Sequence, residues 1–190
     1  MDTSTTVTEA AWSLSPVTLR PHTPDELPAF LVWYSDPELA RLTRHDQTPL
    51  HDAAIRTFFT EIVLPDARRG HAFGIHLTDT DALIGTCSLT DFSLDGRSAI
   101  LRILLGPHGY WGKGYGTEAI RLLVAYGFDQ LGLHEITLGV FADNERALKS
   151  YRKVGFRAIA TTRFTGLAAP SEVLMKLTRE DFRRAVAGPA

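Results

Sequence analysis

The stretch GYWGKGYGTEA, residues 109–119, sets glycines at 109, 112, 114 and 116 and then runs directly into helix-forming sequence. Glycine lacks a Cβ, so such a run lets the main chain turn sharply and brings its N–H groups within reach of a ligand. At a helix start the ligand that profits most is a phosphate, because the first N–H groups lack intrahelical partners and the macrodipole is positive there. Two familiar phosphate loops do not fit. A Walker A loop needs Lys after its last glycine and then Ser or Thr, whereas Lys113 lies between glycines. A dinucleotide fingerprint needs G-x-G-x-x-G at the opening of a domain, whereas Gly112 and Gly114 are followed by Gly116 and the loop lies beyond residue 100. For the loop taken alone, a glycine-rich turn with no ligand stays open.

Outward from the loop, hydrophobic periodicity assigns the elements. Residues 98–105 are apolar almost throughout, as in a strand covered on both faces. Residues 83–90 read as another strand, and His71, Phe73, Ile75 and Leu77 alternate as a third over 71–77. Residues 78–81 and 95–96 are turns. Before these the period is 3.6: Leu27, Phe30, Leu31 and Tyr34 form one stripe, and Ile55, Phe58, Phe59 and Ile62 form another that Pro65 is expected to close. Thr23-Pro24-Asp25-Glu26 has capping-box spacing ahead of the first stripe, Pro28 is an unexplained cost inside it, and residues 17–21 read as a short strand. After the loop comes a helix over about 116–131, with Ile120, Leu123 and Val124 inward and Gly132 as its stop. A strand over 135–141, a helix over 144–154 ended by Gly155, and strands near 156–163 and 171–177 complete the pattern.

A chain of 190 residues with 44% hydrophobic content supports one substantial core. The expected organisation is a polar leader over 1–16, a single α/β domain over 17–178 and a tail over 179–190. The formal charge of −2 and pI near 6.4 argue against nucleic acid as a partner. No run reaches the roughly 18 apolar residues of a membrane span, and the leader lacks the basic and apolar regions of a signal peptide, so the expected location is cytoplasmic. Cys87 is the only cysteine, which excludes an intrachain disulfide, and the seven histidines show no metal-ligand spacing. Cys87 reads as a small buried hydrophobe rather than a nucleophile.

Four segments in order, ILRILLGP, YWGKGYGTEA, EITLGVFADN and NERALKSYRKVGF, fall within some sixty residues. With them, residues 17–177 resemble the GNAT acetyltransferases, most closely the branch that includes the RimJ/RimL-type ribosomal-protein N-terminal acetyltransferases. The resemblance implies a strongly twisted mixed sheet flanked by helices, whose two central strands splay apart to hold acetyl-CoA. It places the diphosphate of coenzyme A on the N–H groups of residues 112–117: Gly112, Lys113, Gly114, Tyr115, Gly116 and Thr117. Trp111 occupies the loop's first position, where the family commonly has Gln or Arg.

Further expectations come from the resemblance. Main-chain groups of Ile103 and Leu105 would hold the pantetheine arm and polarise the thioester carbonyl. Asn144 would contact the cofactor, and Tyr151, seven residues on, would protonate the departing thiolate; packing alone is the other reading of Tyr151. Many relatives carry a Glu general base in the strand before the loop, but Ile100 stands there, with Arg102 two residues on. Asp91, Asp95, His108, His134 and Glu135 are the alternatives for a base. The acceptor is expected to be a primary amine, on a protein N-terminus, a polyamine or an aminoglycoside, lying against the N-terminal helices and the loop near 163–171. Residues 101–157 carry eight Lys/Arg against five Asp/Glu, and residues 21–66 three Arg against eight Asp/Glu, which suits an anionic donor and a cationic acceptor. A coenzyme A-binding module without turnover is the alternative function, and the oligomeric state, a homodimer included, is left open.

Overall fold

Strand β1 (Val17–Pro21) pairs antiparallel with β2 (Ala72–Leu77), and between them the chain lays down a helical layer on one face of the sheet. In this computed structural model residues 15–163 and 171–187 are described; the leader's first fourteen residues and most of the loop near 163–171 lie outside them. The helical layer comprises a 3₁₀ turn (Pro24–Glu26), α1 (Leu27–Tyr34), α2 (Pro37–Thr43), α3 (Asp52–Phe58), a π turn (Phe59–Val63) and α4 (Leu64–Arg68). Then follow β3 (Leu83–Thr90), β4 (Ser98–Leu105), α5 (Tyr115–Asp129), β5 (Glu135–Phe141), α6 (Glu145–Val154), β6 (Arg157–Thr162), β7 (Glu172–Thr178) and α7 (Arg179–Ala187). The seven strands form one sheet in the order β1-β2-β3-β4-β5-β7-β6, antiparallel except for β4 beside β5. This is the expected mixed α/β architecture.

Local chemistry explains most boundaries, including two that periodicity misjudges. Pro28 carries no penalty, because the α-helix proper begins at Leu27 and puts it in the first turn, where its missing N–H has no intrahelical partner to lose. Pro65, in contrast, does not end the second helical run, which continues to Arg68. The turn ahead of it widens: the Leu64 N–H reaches the Phe59 carbonyl five residues back. A wide turn relieves the clash that a proline ring makes with the carbonyl four residues before it. It also shifts the buried face, so Val63 is inside while Ile62, expected to be inside, is 51% exposed. Periodicity also misses α2, too short to show a stripe, whose start is fixed by the Asp36 carboxylate accepting from the N–H groups of Glu38 and Leu39. Residues 179–187, read as tail, form a helix over which the Arg179 guanidinium donates to the Leu133 carbonyl at 3.0 Å.

Two cores flank the sheet. One packs α5 and α6 on it through Ile120, Leu123, Val124, Leu138, Tyr151 and Met175. The other packs α1 to α4 on the opposite face through Phe30, Trp33, Leu39, Ile55, Phe59 and Leu104. Gly106, just past β4, is indispensable to the second: a Cβ there would sit 2.0 Å from the Trp33 indole nitrogen.

Candidate active site

The two central strands touch over three residues only. Ser98, Ala99 and Ile100 pair with Glu135, Ile136 and Thr137, after which β4 and β5 part. Each keeps its outer partner: β4 stays in register with β3 to Leu105 opposite Gly85, and β5 with β7 to Phe141 opposite Glu172. The split is therefore built into two half-sheets, and it presents free strand edges, the usual docking place for an extended amide-bearing chain. A cleft of about 1630 Å³ fills it and runs from the glycine loop to the helical layer.

At one end lies the loop. Gly112 and Gly114 adopt φ of +75° and +91°, a conformation open to glycine and costly for other residues, and a Cβ on either would meet nothing within 4 Å. Gly114 is also the residue that caps α5. No carbonyl of the described residues takes up the N–H groups of residues 112–117, so a fan of donors stands at the positive end of a fifteen-residue helix. Trp111, Gly112, Gly114, Gly116 and Thr117 line the cleft. Lys113 and Tyr115 lie beside Tyr110, which also lines the cleft, the Lys113 ammonium 5.8 Å from that ring and the Tyr115 ring 6.0 Å from it.

Trp111 is a pin. Its indole N–H donates to the Leu105 carbonyl at 2.9 Å, its ring stacks on His108 at 4.0 Å, and the Arg146 guanidinium lies 3.7 Å from its ring centroid. His108 in turn faces the Asp36 carboxylate at 3.1 Å. One side chain thus ties the end of β4, the loop, α6 and the helical layer together, and it occupies the Leu105 carbonyl expected to serve the pantetheine arm. Ile103 and Leu105 both border the cleft, as do Arg146, Lys149 and Lys153 of α6.

Asn144 and Tyr151 also border the cleft, on different terms. Asn144 is the N-cap of α6, its Oδ1 accepting from the Ala147 N–H at 3.2 Å, which leaves the amide NH₂ for other partners. Tyr151 is 7% exposed, with its ring 5.9 Å from Phe156, and burial pushes its phenol well above the ordinary range. It stays protonated at any physiological pH. Cys87 is likewise buried and its thiol pushed up, so it is no thiolate nucleophile.

Of the alternatives for a base, Asp91 alone borders the cleft, and hydrogen bonds from Thr90 and Arg102 hold its carboxyl below the usual range. Asp95 is held in a turn by Ser93, His108 by Asp36 and Glu135 by Lys176. Part of the acidic excess of residues 21–66 is taken up away from the cleft. Glu26 faces His22 and His76, Glu38 pairs with Arg41, Asp46 with Arg44, and only Glu61 and Asp66 of that set reach the cleft. Glu172, which sequence reasoning missed, joins them from β7, its carboxylate folded over Gly139 and 3.7 Å from His45. Nothing in the sequence signals it, because the pairing of β7 with β5 brings it there. Among the described residues no three His, Cys, Asp or Glu side chains gather as a metal site requires.

A family model described as an acetyltransferase (GNAT) domain matches residues 17–157. The Bacillus subtilis (strain 168) protein called uncharacterized N-acetyltransferase YoaA is 32% identical over 139 residues, covering 73% of this chain and 78% of its own. The spermidine N(1)-acetyltransferase of Escherichia coli (strain K12) is 39% identical over 72 residues, 38% of either chain. Among solved structures, spermidine N-acetyltransferase from Vibrio cholerae in complex with CoA and spermine superimposes with a TM-score of 0.75 at 18% identity, over 89% of this chain and 99% of that one.

Proposed function

The chain belongs to the GNAT acetyltransferase family, and from that premise we propose how its cleft moves an acetyl group to an amine. Acetyl-CoA supplies the activated acyl group. Its diphosphate rests on the N–H groups of Gly112, Lys113, Gly114, Tyr115, Gly116 and Thr117. The pantetheine arm runs along the free edge of β4, held by the main chain of Ile103 and by the second lone pair of the Leu105 carbonyl, with Trp111 as a wall and the Asn144 amide donating from the other side. Tyr151 delivers a proton to the sulfur as the C–S bond breaks. The observation that carries this reading is the parting of β4 and β5 after three residue pairs, with N–H groups that no backbone carbonyl of the described residues takes up at one end of the gap and a protonated phenol in its wall.

The acceptor is a primary amine bearing further positive charge. Glu61 and Glu172 border the part of the cleft beneath the helical layer, and Arg44 and Arg69, which border it too, already face Asp46 and Asp66. That set favours polyamines and aminoglycosides. The RimJ/RimL-type branch, whose acceptor is a protein N-terminus, remains the second reading on the strength of the sequence motifs. A screen of acetyl-CoA with spermidine, ribostamycin and an N-terminal peptide, read by product mass and by free thiol release, tests both. Acetylated spermidine or ribostamycin in preference to peptide is the expected result. Tight acetyl-CoA binding with no thiol release from any amine would instead mark a coenzyme A-binding module.

A further inference from the structure

Behind the acceptor end of the cleft lies a buried chain of polar groups that the split sheet does not need. His22, whose side chain is fully buried, places Nδ1 2.5 Å from Glu26 Oε2 and Nε2 2.8 Å from Thr86 Oγ1. Thr86 borders the cleft, His22 is buried behind it and Glu26 behind that keeps 12% of its side chain exposed. Thr86 stands directly opposite Leu104 in the β3–β4 register, one strand from the main chain that borders the split. Its hydroxyl is thus on the acceptor face of the sheet and about 5 Å of strand spacing from the edge where the thioester would be held.

The protons in this chain are fixed by what each atom faces. A carboxylate only accepts, so Nδ1 of His22 donates to Glu26; in the neutral imidazole this leaves Nε2 as the acceptor for the Thr86 O–H. Burial works to raise the Glu26 carboxyl, but the hydrogen bonds it accepts from His22 and from the Thr23 N–H work against that, and the carboxyl lies below its ordinary value. The arrangement of hydroxyl, neutral imidazole and orienting carboxylate is the one that lets a hydroxyl pass a proton inward. The Phe30 and Phe59 rings pack edge-on against the His22 ring at centroid distances of 5.1 and 6.4 Å. The other charged groups sit farther along: His76 Nε2 faces Glu26 Oε1 at 3.2 Å, Asp81 lies 3.8 Å from His76 Nδ1, and Arg20 pairs with Asp81 at 2.6 Å.

We propose that Thr86, backed by His22 and oriented by Glu26, is the proton exit for the acceptor amine in the acetyl transfer described above, on which this inference rests. It stands in for the absent Glu at position 100. The neutral amine attacks the thioester carbonyl and the C–N bond forms, which leaves the nitrogen cationic. That nitrogen gives one proton to Thr86 Oγ1 while Thr86 passes its own to His22 Nε2, producing an imidazolium against the Glu26 carboxylate. The C–S bond then breaks and the thiolate takes a proton from Tyr151. Exchange with solvent returns the His22 proton and restores the phenol, so the balance is amine plus acetyl-CoA to amide plus coenzyme A. Thr86 is the group that meets the amine; His22 and Glu26 position it and take up its proton.

Three variants and one spectrum test this. Thr86→Val keeps the shape and removes the hydroxyl; with saturating acetyl-CoA and spermidine its kcat should fall by about tenfold or more, with acetyl-CoA affinity and Tm near the parent's. Thr86→Ser restores the hydroxyl and should recover most of that loss. His22→Gln should lower kcat comparably. Long-range ¹⁵N–¹H spectra of the histidines, recorded without any acceptor, should show His22 as the Nδ1–H tautomer at neutral pH and a change in its Nε2 shift in Thr86→Val. Because the spectrum needs no turnover, it separates failure of the relay from failure of the acetyltransferase reading. An imidazolium at position 22 at neutral pH overturns the relay even if the parent proves inactive on spermidine. So does a Thr86→Val enzyme within twofold of the parent, or a Ser variant no better than the Val one.

Discussion

Tyr151 makes its ring contacts inside the α5–α6 core, so Tyr151→Phe removes one hydroxyl and almost none of the packing. If that hydroxyl protonates the thiolate, kcat should drop by about tenfold or more, the low end for a positioned general acid because a coenzyme A thiolate leaves fairly easily. Acetyl-CoA affinity by calorimetry should hold, and Tm should move by only a few degrees. The pH dependence has a definite sign. Burial raises the phenol's pKa, so the acid form persists and kcat should show no loss from Tyr151 ionisation up to pH of about 10. Turnover within a factor of two of the parent would leave Tyr151 as packing. At this scale the sequence was informative about which residues matter and silent about their partners: Trp111 was visible as an oddity, but its bond to the Leu105 carbonyl depends on where β4 ends relative to the loop.

At the scale of elements, the loop and α5 act as one device. Gly114 is left-handed at φ +91° and caps the helix, so Gly114→Val combines backbone strain with a branched side chain thrust into the space where the diphosphate would lie. The acetyl-CoA dissociation constant should rise by about tenfold or more, the cost of losing one or two charge-assisted hydrogen bonds at about 1.5 kcal/mol or more apiece. A folded variant with parental affinity in a calorimetric titration would remove the diphosphate from this loop. Strands and long helices were legible because their periods are 2 and 3.6 and each has one buried face. The run around Pro65 was not, because a π turn carries no period of its own and only the packing of Phe59 and Val63 beneath it shows which way the chain turned.

For the whole molecule, charge and alkali make two tests. With Glu61 and Glu172 at the acceptor end, added salt should raise KM for a cationic acceptor such as spermidine more than for a neutral amine, since exposed charges are screened beyond about 10 Å at 0.1 M. Equal salt response for the two would set aside the attraction. Stability should fall in alkali. Burial raises the Cys87 thiol and the Tyr151 phenol, and it raises Tyr34 to about 12 against the opposing charges of Arg102 and Arg44. Groups with raised folded pKa ionise first in the unfolded chain, so their stabilisation is complete below about pH 8.5 for Cys and 10 for Tyr and is lost as pH climbs toward the folded values. Urea midpoints measured from pH 8 upward should decline, and Cys87→Ala should flatten the first part of that decline. An unchanged slope in Cys87→Ala would mean the thiol is not protected as its burial implies.

By itself the sequence determined the strands, the glycine loop, the helix it caps and the likeness to a family, because each of these is a local pattern: hydrophobic period, turn residues, a helix start without side chains in the way. It could not determine the site's other half. The parting of β4 from β5 follows from each strand keeping a different outer neighbour, Glu172 reaches the cleft through β7, and His22 meets Thr86 across 64 residues of chain. The acidic tally of residues 21–66 likewise pointed at an acceptor, yet Glu26, Glu38 and Asp46 face partners close by in the chain instead. Distances between residues far apart in the chain are set by how layers pack, and packing depends on shape summed over the whole core, which no window of sequence contains.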